Sequence, residues 1–104
     1  MSADSQIYIP PSFVAIYSDA RGRLQTTLDE LAARYELCED LANHLTEHAQ
    51  RLYHGDAAPS EADILGRMHA GLLNAESGVS ADEARWVTQR LGELLQWPLP
   101  DWPD

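Results

Sequence analysis

Residues 27–53, TLDELAARYELCEDLANHLTEHAQRLY, decide the fold. Leu28, Leu31, Tyr35, Cys38, Ala42, Leu45, Ala49 and Leu52 recur at spacings of three and four. An α-helix advances 3.6 residues per turn, so that spacing lays all eight along one flank, and Leu41 widens the stripe. The opposite flank carries Asp29, Glu36, Asp40, Asn43, Glu47 and Gln50, with Leu37 the exception. Thr27 and Glu30 form a capping-box pattern: the threonine oxygen accepts an orphan backbone N–H and the glutamate reaches back to the cap. The spacing therefore predicts one long amphipathic helix. His54, Gly55 and Asp56, then Pro59, supply its stop, with the glycine expected in the left-handed conformation that closes a helix.

The same reading extends in both directions. Residues 1–6 are polar and expected to be mobile. Ile7, Tyr8 and Ile9 precede two prolines and are expected as a short extended arm, after which Pro11 opens a short helix with Phe13, Ile16 and Tyr17 on its apolar face and Gly22 in the following loop. Ser60 and Asp63 start a third helix that buries Ile64, Leu65, Met68, Leu72 and Leu73, and residues 74–78 read as a loop. Ser80 and Glu83 form a second capping box ahead of Ala84, Val87, Leu91, Leu94 and Leu95. Pro98 ends that helix, and the proline-rich residues 98–104 are expected to be extended. Helices three and four begin 20 residues apart on serine caps, but two units are too few for a solenoid. Nothing alternates with period two over a useful length. The expected class is all-α: a small bundle of three principal helices, a short N-terminal helix and an extended tail, in a single domain of 104 residues.

Composition restricts the chemistry. The apolar fraction of 44% against 23% charged residues predicts a folded chain despite a net charge of -10. All seven basic residues are arginine, so no lysine is available for a Schiff base, a nucleophilic amine or a phosphate-loop contact. Five arginines are spaced to pair locally: Arg23 with Asp19, Arg34 with Glu30, Arg51 with Glu47, Arg67 with Asp63, and Arg85 with Asp82. Little positive surface is left, which disfavours direct binding to nucleic acid or to an anionic membrane. The single cysteine, Cys38, cannot close an intrachain disulfide; no apolar run approaches a membrane span, and the first residues lack the features of a signal peptide. A cytoplasmic location in a reducing compartment is the expectation, with no cofactor.

Four groups of residues could carry function. His44, Glu47 and His48 match the H-x-x-E-H pattern of inverted zinc peptidases, which sets two imidazoles one turn apart around a glutamate base. The helical register puts His44 and Glu47 on the polar flank and His48 beside it, and no third ligand stands at a recognisable spacing, so a surface histidine pair is the preferred reading. Cys38 lies in the apolar stripe, where a thiol behaves as a small hydrophobe. The acidic ridge of Glu36, Glu39, Asp40 and Glu47 reads first as a solvated face, and otherwise as a docking face for a basic partner or a mimic of nucleic-acid charge. Trp97 and Trp102 flank or lie in the proline-containing tail, which either folds back, with Trp86 as its landing place, or is offered to another protein.

The runs IYIPPSF (7–13), AARYELCEDLA (32–42), LTEHA (45–49), EARWV (83–87) and LGELLQW (91–97) resemble a family of short uncharacterised helical proteins of Burkholderia-type proteobacteria. Members of that family are often labelled an ATPase with chaperone activity. The resemblance implies a helical fold in a bacterial cytoplasm and supplies no site. The label itself is contradicted by a chain with no phosphate loop and no lysine. The expected function is protein interaction as a small adaptor or regulator without catalysis, as a monomer or weak homodimer. A metal-binding or hydrolytic role for His44, Glu47 and His48 is the alternative, and charge mimicry of nucleic acid a third.

Overall fold

The computed structural model describes residues 8–55 and 59–98, and the expectations for residues 1–6 and for the tail beyond Pro98 lie outside them. The order is α1 (Pro11–Ile16), α2 (Leu28–Tyr53), α3 (Glu61–Leu72), a one-turn 3-10 helix η1 (Ala75–Ser77) and α4 (Ala81–Leu95). The fold is all-α, with three substantial helices and a short first one. Two compact units divide the chain, Met1–Leu37 and Cys38–Asp104, and α2 runs through the boundary.

In the first unit, Pro11 opens α1 after Pro10, whose carbonyl accepts from the N–H groups of Phe13 and Val14. Phe13 is fully buried, with the Tyr17 ring 5.8 Å and the Tyr35 ring 5.6 Å away, the latter edge-on. Such pairs add about 0.5–1.5 kcal/mol beyond area burial. The loop after α1 is organised by Asp19 rather than by the expected pairing with the Arg23 guanidinium. One Asp19 carboxylate oxygen accepts from the backbone N–H of Arg21 and of Arg23, each at 2.9 Å, and Gly22 sits at φ 81 between them. A short carboxylate beside a turn satisfies backbone donors locally. Thr27 Oγ1 accepts from the Glu30 N–H at 3.1 Å, the capping contact that the sequence implied for α2.

The stripe of α2 is buried at Leu31, Cys38, Ala42 and Ala49 and half-buried at Tyr35, Leu45 and Leu52. Leu28 departs from it. At the first position of the helix it is 73% exposed, because the apolar period continues to the helix end while the packing does not. The whole polar flank is exposed, as is Leu37. Gly55 also differs from expectation: it does not adopt positive φ, and the chain leaves α2 through Gly55 N–H donating to the Leu52 carbonyl at 3.3 Å.

In the second unit, Ala49 of α2, Ile64, Leu65 and Met68 of α3 and Leu91 of α4 form one buried cluster, flanked by Leu45, Leu52, Leu95 and Trp97. Each large aliphatic buried there contributes about 1.5–3 kcal/mol of transfer free energy. Ser60 caps α3 through the Asp63 N–H. Leu72 is buried, but Leu73 is 51% exposed, because α3 ends at Leu72 and its neighbour points away. Residues 74–78 are more ordered than a plain loop: Asn74 caps η1 through the Glu76 N–H, and Gly78 at φ 84 reverses the chain. Both arms of the Ser80–Glu83 capping box are formed, and Glu83 is only 1% exposed. Thr88, also buried, donates to the Ala84 carbonyl at 2.8 Å. α4 stops at Leu95 rather than running to Pro98. Gln96 is left-handed at φ 60, its N–H donates to Glu93 and that of Trp97 to Gly92, the paired bonds that terminate a helix.

Candidate interaction surface

Most of the candidate residues stand on the second-unit part of α2, where a stiff helical backbone fixes their spacing. Asp40, Asn43, His44, Glu47, His48 and Gln50 are all exposed. Glu47 has the Arg51 guanidinium 4.0 Å away, with both side chains mostly in solvent at 82% and 72% exposure. At that distance and exposure the pair contributes almost nothing to stability and leaves the carboxylate open to a competing cation. Glu36 is likewise exposed, within the first unit.

Glu39 departs from the ridge. Its two carboxylate oxygens accept from Arg90 Nε at 2.9 Å and Nη2 at 3.0 Å, a bidentate pair that joins α2 to α4. Arg90 Nη1 donates in addition to Glu93 at 3.2 Å, and Asn43 Nδ2 donates to the Glu39 carbonyl at 2.8 Å. The hydrogen bond from Arg90 holds the Glu39 carboxyl below the usual glutamate range, its charge adds to that and partial burial works against it. The same pairing raises Arg90, which is charged at every accessible pH. Glu39 is thereby committed to its own fold. Sequence spacing missed this because the partners lie 51 residues apart, beyond any rule for neighbours on one helix.

The histidine pattern has the spacing that the sequence implied. His44 and His48 lie one turn apart on an exposed flank with Glu47 between them. Among the described residues no group of three or more His, Cys, Asp or Glu side chains could hold a metal ion. A pair of exposed imidazoles lacks the closed or dry site in which zinc acts as a structural or catalytic ion. Cys38 is fully buried on the apolar side of α2.

The tryptophans divide into separate environments. Trp86 is 6% exposed in the interior of α4, so its ring is not available as a docking face. Trp97 is half-buried against the second-unit cluster, with the Tyr53 ring 5.0 Å away and His54 edge-on to Tyr53 at 5.2 Å. The chain packs back at Trp97 against the Tyr53 ring, whereas Trp102 and the expected landing of the tail on Trp86 lie outside the described residues. A groove that the sequence reading did not single out runs between α2 and α3, lined by Leu45, His48, Arg67, Met68, Gly71 and Leu72. The only forewarning was Arg67 and Gly71 standing one turn apart. No described helix is long and apolar enough to cross a membrane. No family model, no curated protein and no solved structure matches this chain.

Proposed function

We propose that the protein is a small interaction module that binds a basic partner protein through Asp40, Asn43 and Glu47 on the outer flank of α2. The observation that carries this reading is the exposure of all three on one rigid helix in a chain of net charge -10. Complementary potentials steer such encounters and fix their register. Glu39, the remaining acid of this stretch, is spoken for by Arg90, and Trp86 is buried, which narrows the surface to the outer flank. An adaptor or regulator needs no more chemistry than this.

The test is affinity capture from native cell extract over a salt series, with the intact chain beside an Asp40→Asn, Glu47→Gln double variant. Both positions are exposed, so the variant keeps the fold. The expected partner is basic, elutes as ionic strength rises and is lost with the double variant. Capture that survives high salt and is indifferent to the variant overturns the reading. Release by added duplex DNA identifies the captured protein as a DNA-binding one and the flank as a charge mimic.

A further inference from the structure

The outer face of α2 carries a second regularity besides its acidity. Asp40, His44, Glu47 and Arg51 follow one another at spacings of four, three and four, and all are exposed. On a helix that spacing draws one straight seam, about 17 Å long. Cys38, Ala42 and Ala49 are buried on the other side of the same helix. The shallow depression along the seam is lined by α2 residues alone, so no other described element covers this face.

The charges along the seam complement their own reverse order. Laid antiparallel on a second copy, with a two-fold axis between Leu45 and Thr46, Asp40 meets Arg51 of the second copy and His44 meets its Glu47. The axis repeats each pair, as in any isologous contact. In a parallel arrangement each residue would instead meet its own like, Asp40 on Asp40 and Arg51 on Arg51, and like charges repel. Asn43 and Gln50 on one shoulder and Leu41 and His48 on the other add no carboxylate. The intrahelical Arg51–Glu47 contact that must be given up is 4.0 Å long and solvent-exposed, so its loss costs almost nothing. A guanidinium on a long stem can then present two parallel N–H donors to the Asp40 carboxylate. The net charge of -10 opposes the approach of two copies, but a Debye length of about 8 Å at physiological ionic strength screens distant charges more than touching ones. We propose that the protein forms an antiparallel two-fold homodimer through this seam, held by paired Asp40–Arg51 and His44–Glu47 contacts. The seam shares Asp40 and Glu47 with the flank assigned to a basic partner, yet it goes beyond that reading, because the chain supplies its own complement.

The test is sedimentation equilibrium of the full chain at physiological ionic strength, up to a concentration on the order of 1 mM, where weak polar contacts become measurable. The expected result is a reversible monomer–dimer equilibrium. Asp40→Arg and Arg51→Asp each set like charges against one another at both symmetry-related pairs and should weaken association by about tenfold or more. The Asp40→Arg, Arg51→Asp double variant exchanges the charges, keeps the net charge of the intact chain and should restore its association. All these positions are exposed, and circular dichroism checks that the helices persist. Asp40→Arg brings the net charge closer to zero, so weaker association of that variant cannot come from general repulsion. An intact chain that stays monomeric throughout overturns the proposal, as does an Asp40→Arg variant that associates more tightly or a double variant that fails to recover. Arg51→Asp leaves Asp40, Asn43 and Glu47 in place, so its capture of a basic partner reports on that reading separately from the dimer.

Discussion

Replacing Glu39 by glutamine tests a long-range polar contact that joins α2 to α4. The side chain keeps its shape and one acceptor for Arg90 but loses its charge. An exposed ion pair contributes about 0–1 kcal/mol, and breaking a buried one costs about 3–5 kcal/mol. Here the Glu39 and Arg90 side chains are 22% and 33% exposed, the geometry is bidentate, and Arg90 retains Glu93 after the substitution. The expected loss therefore falls between the two limits, at roughly 1.5–2 kcal/mol, or roughly 6–10 °C in Tm for a chain of this size. Urea unfolding of Glu39→Gln, Arg90→Leu and the double variant isolates the interaction, with an expected coupling of about 1 kcal/mol. The pH dependence has a definite sign. A carboxylate whose folded-state pKa lies below its ordinary value of 4.5 stabilises the fold above that value, and the contribution is lost as pH falls through the depressed one. The intact chain should lose stability below pH 4.5 more steeply than Glu39→Gln does. A coupling near zero with parallel acid limbs would refute the reasoning and reduce the pair to a surface contact.

Three further outcomes follow from particular positions. Leu72→Ala should cost about 2–4 kcal/mol and Leu73→Ala less than about 0.5 kcal/mol, since only the first is buried; equal urea midpoints would contradict the placement of the α3 terminus. Gln96 holds a left-handed conformation that glycine adopts without strain, so Gln96→Gly should raise stability by about 0.5–1 kcal/mol in thermal unfolding, and a loss would mean that its side chain matters more than its backbone. Zinc added at one equivalent should leave the His44 and His48 ring resonances unmoved, because no third ligand joins them among the described residues; a saturating shift at that ratio would revive the metal reading.

The parts of the fold that were legible in the sequence are those set by local rules. The three-and-four spacing of residues 28–52, the serine caps of α3 and α4 and Pro11 at the start of α1 each act within a few residues and were placed correctly. The misreadings share a cause in context. Leu28 and Leu73 obey the apolar period at helix ends, where no neighbour is present to cover them. Gly55 could close α2 in the left-handed form, but the last turn ends through a tighter backbone bond instead. The spacing of Ser80 and Glu83 marks a cap but carries no sign that the glutamate is buried. For the candidate surface, periodicity identified the exposed flank of Asp40, Asn43 and Glu47, but assigned Glu39 to it because the distant Arg90 cannot be seen from local spacing. The groove was illegible for the same reason: its two walls come from different helices.

The stop at the end of α4 has a kinetic and statistical consequence. Two main-chain bonds and the Tyr53 ring fix both the position and the heading with which Trp97 leaves the helix. Whatever follows is tethered by a few residues to a defined point, at an effective concentration in the millimolar range. At such a local concentration, a contact too feeble to hold a free peptide becomes populated wherever the tether allows it to form.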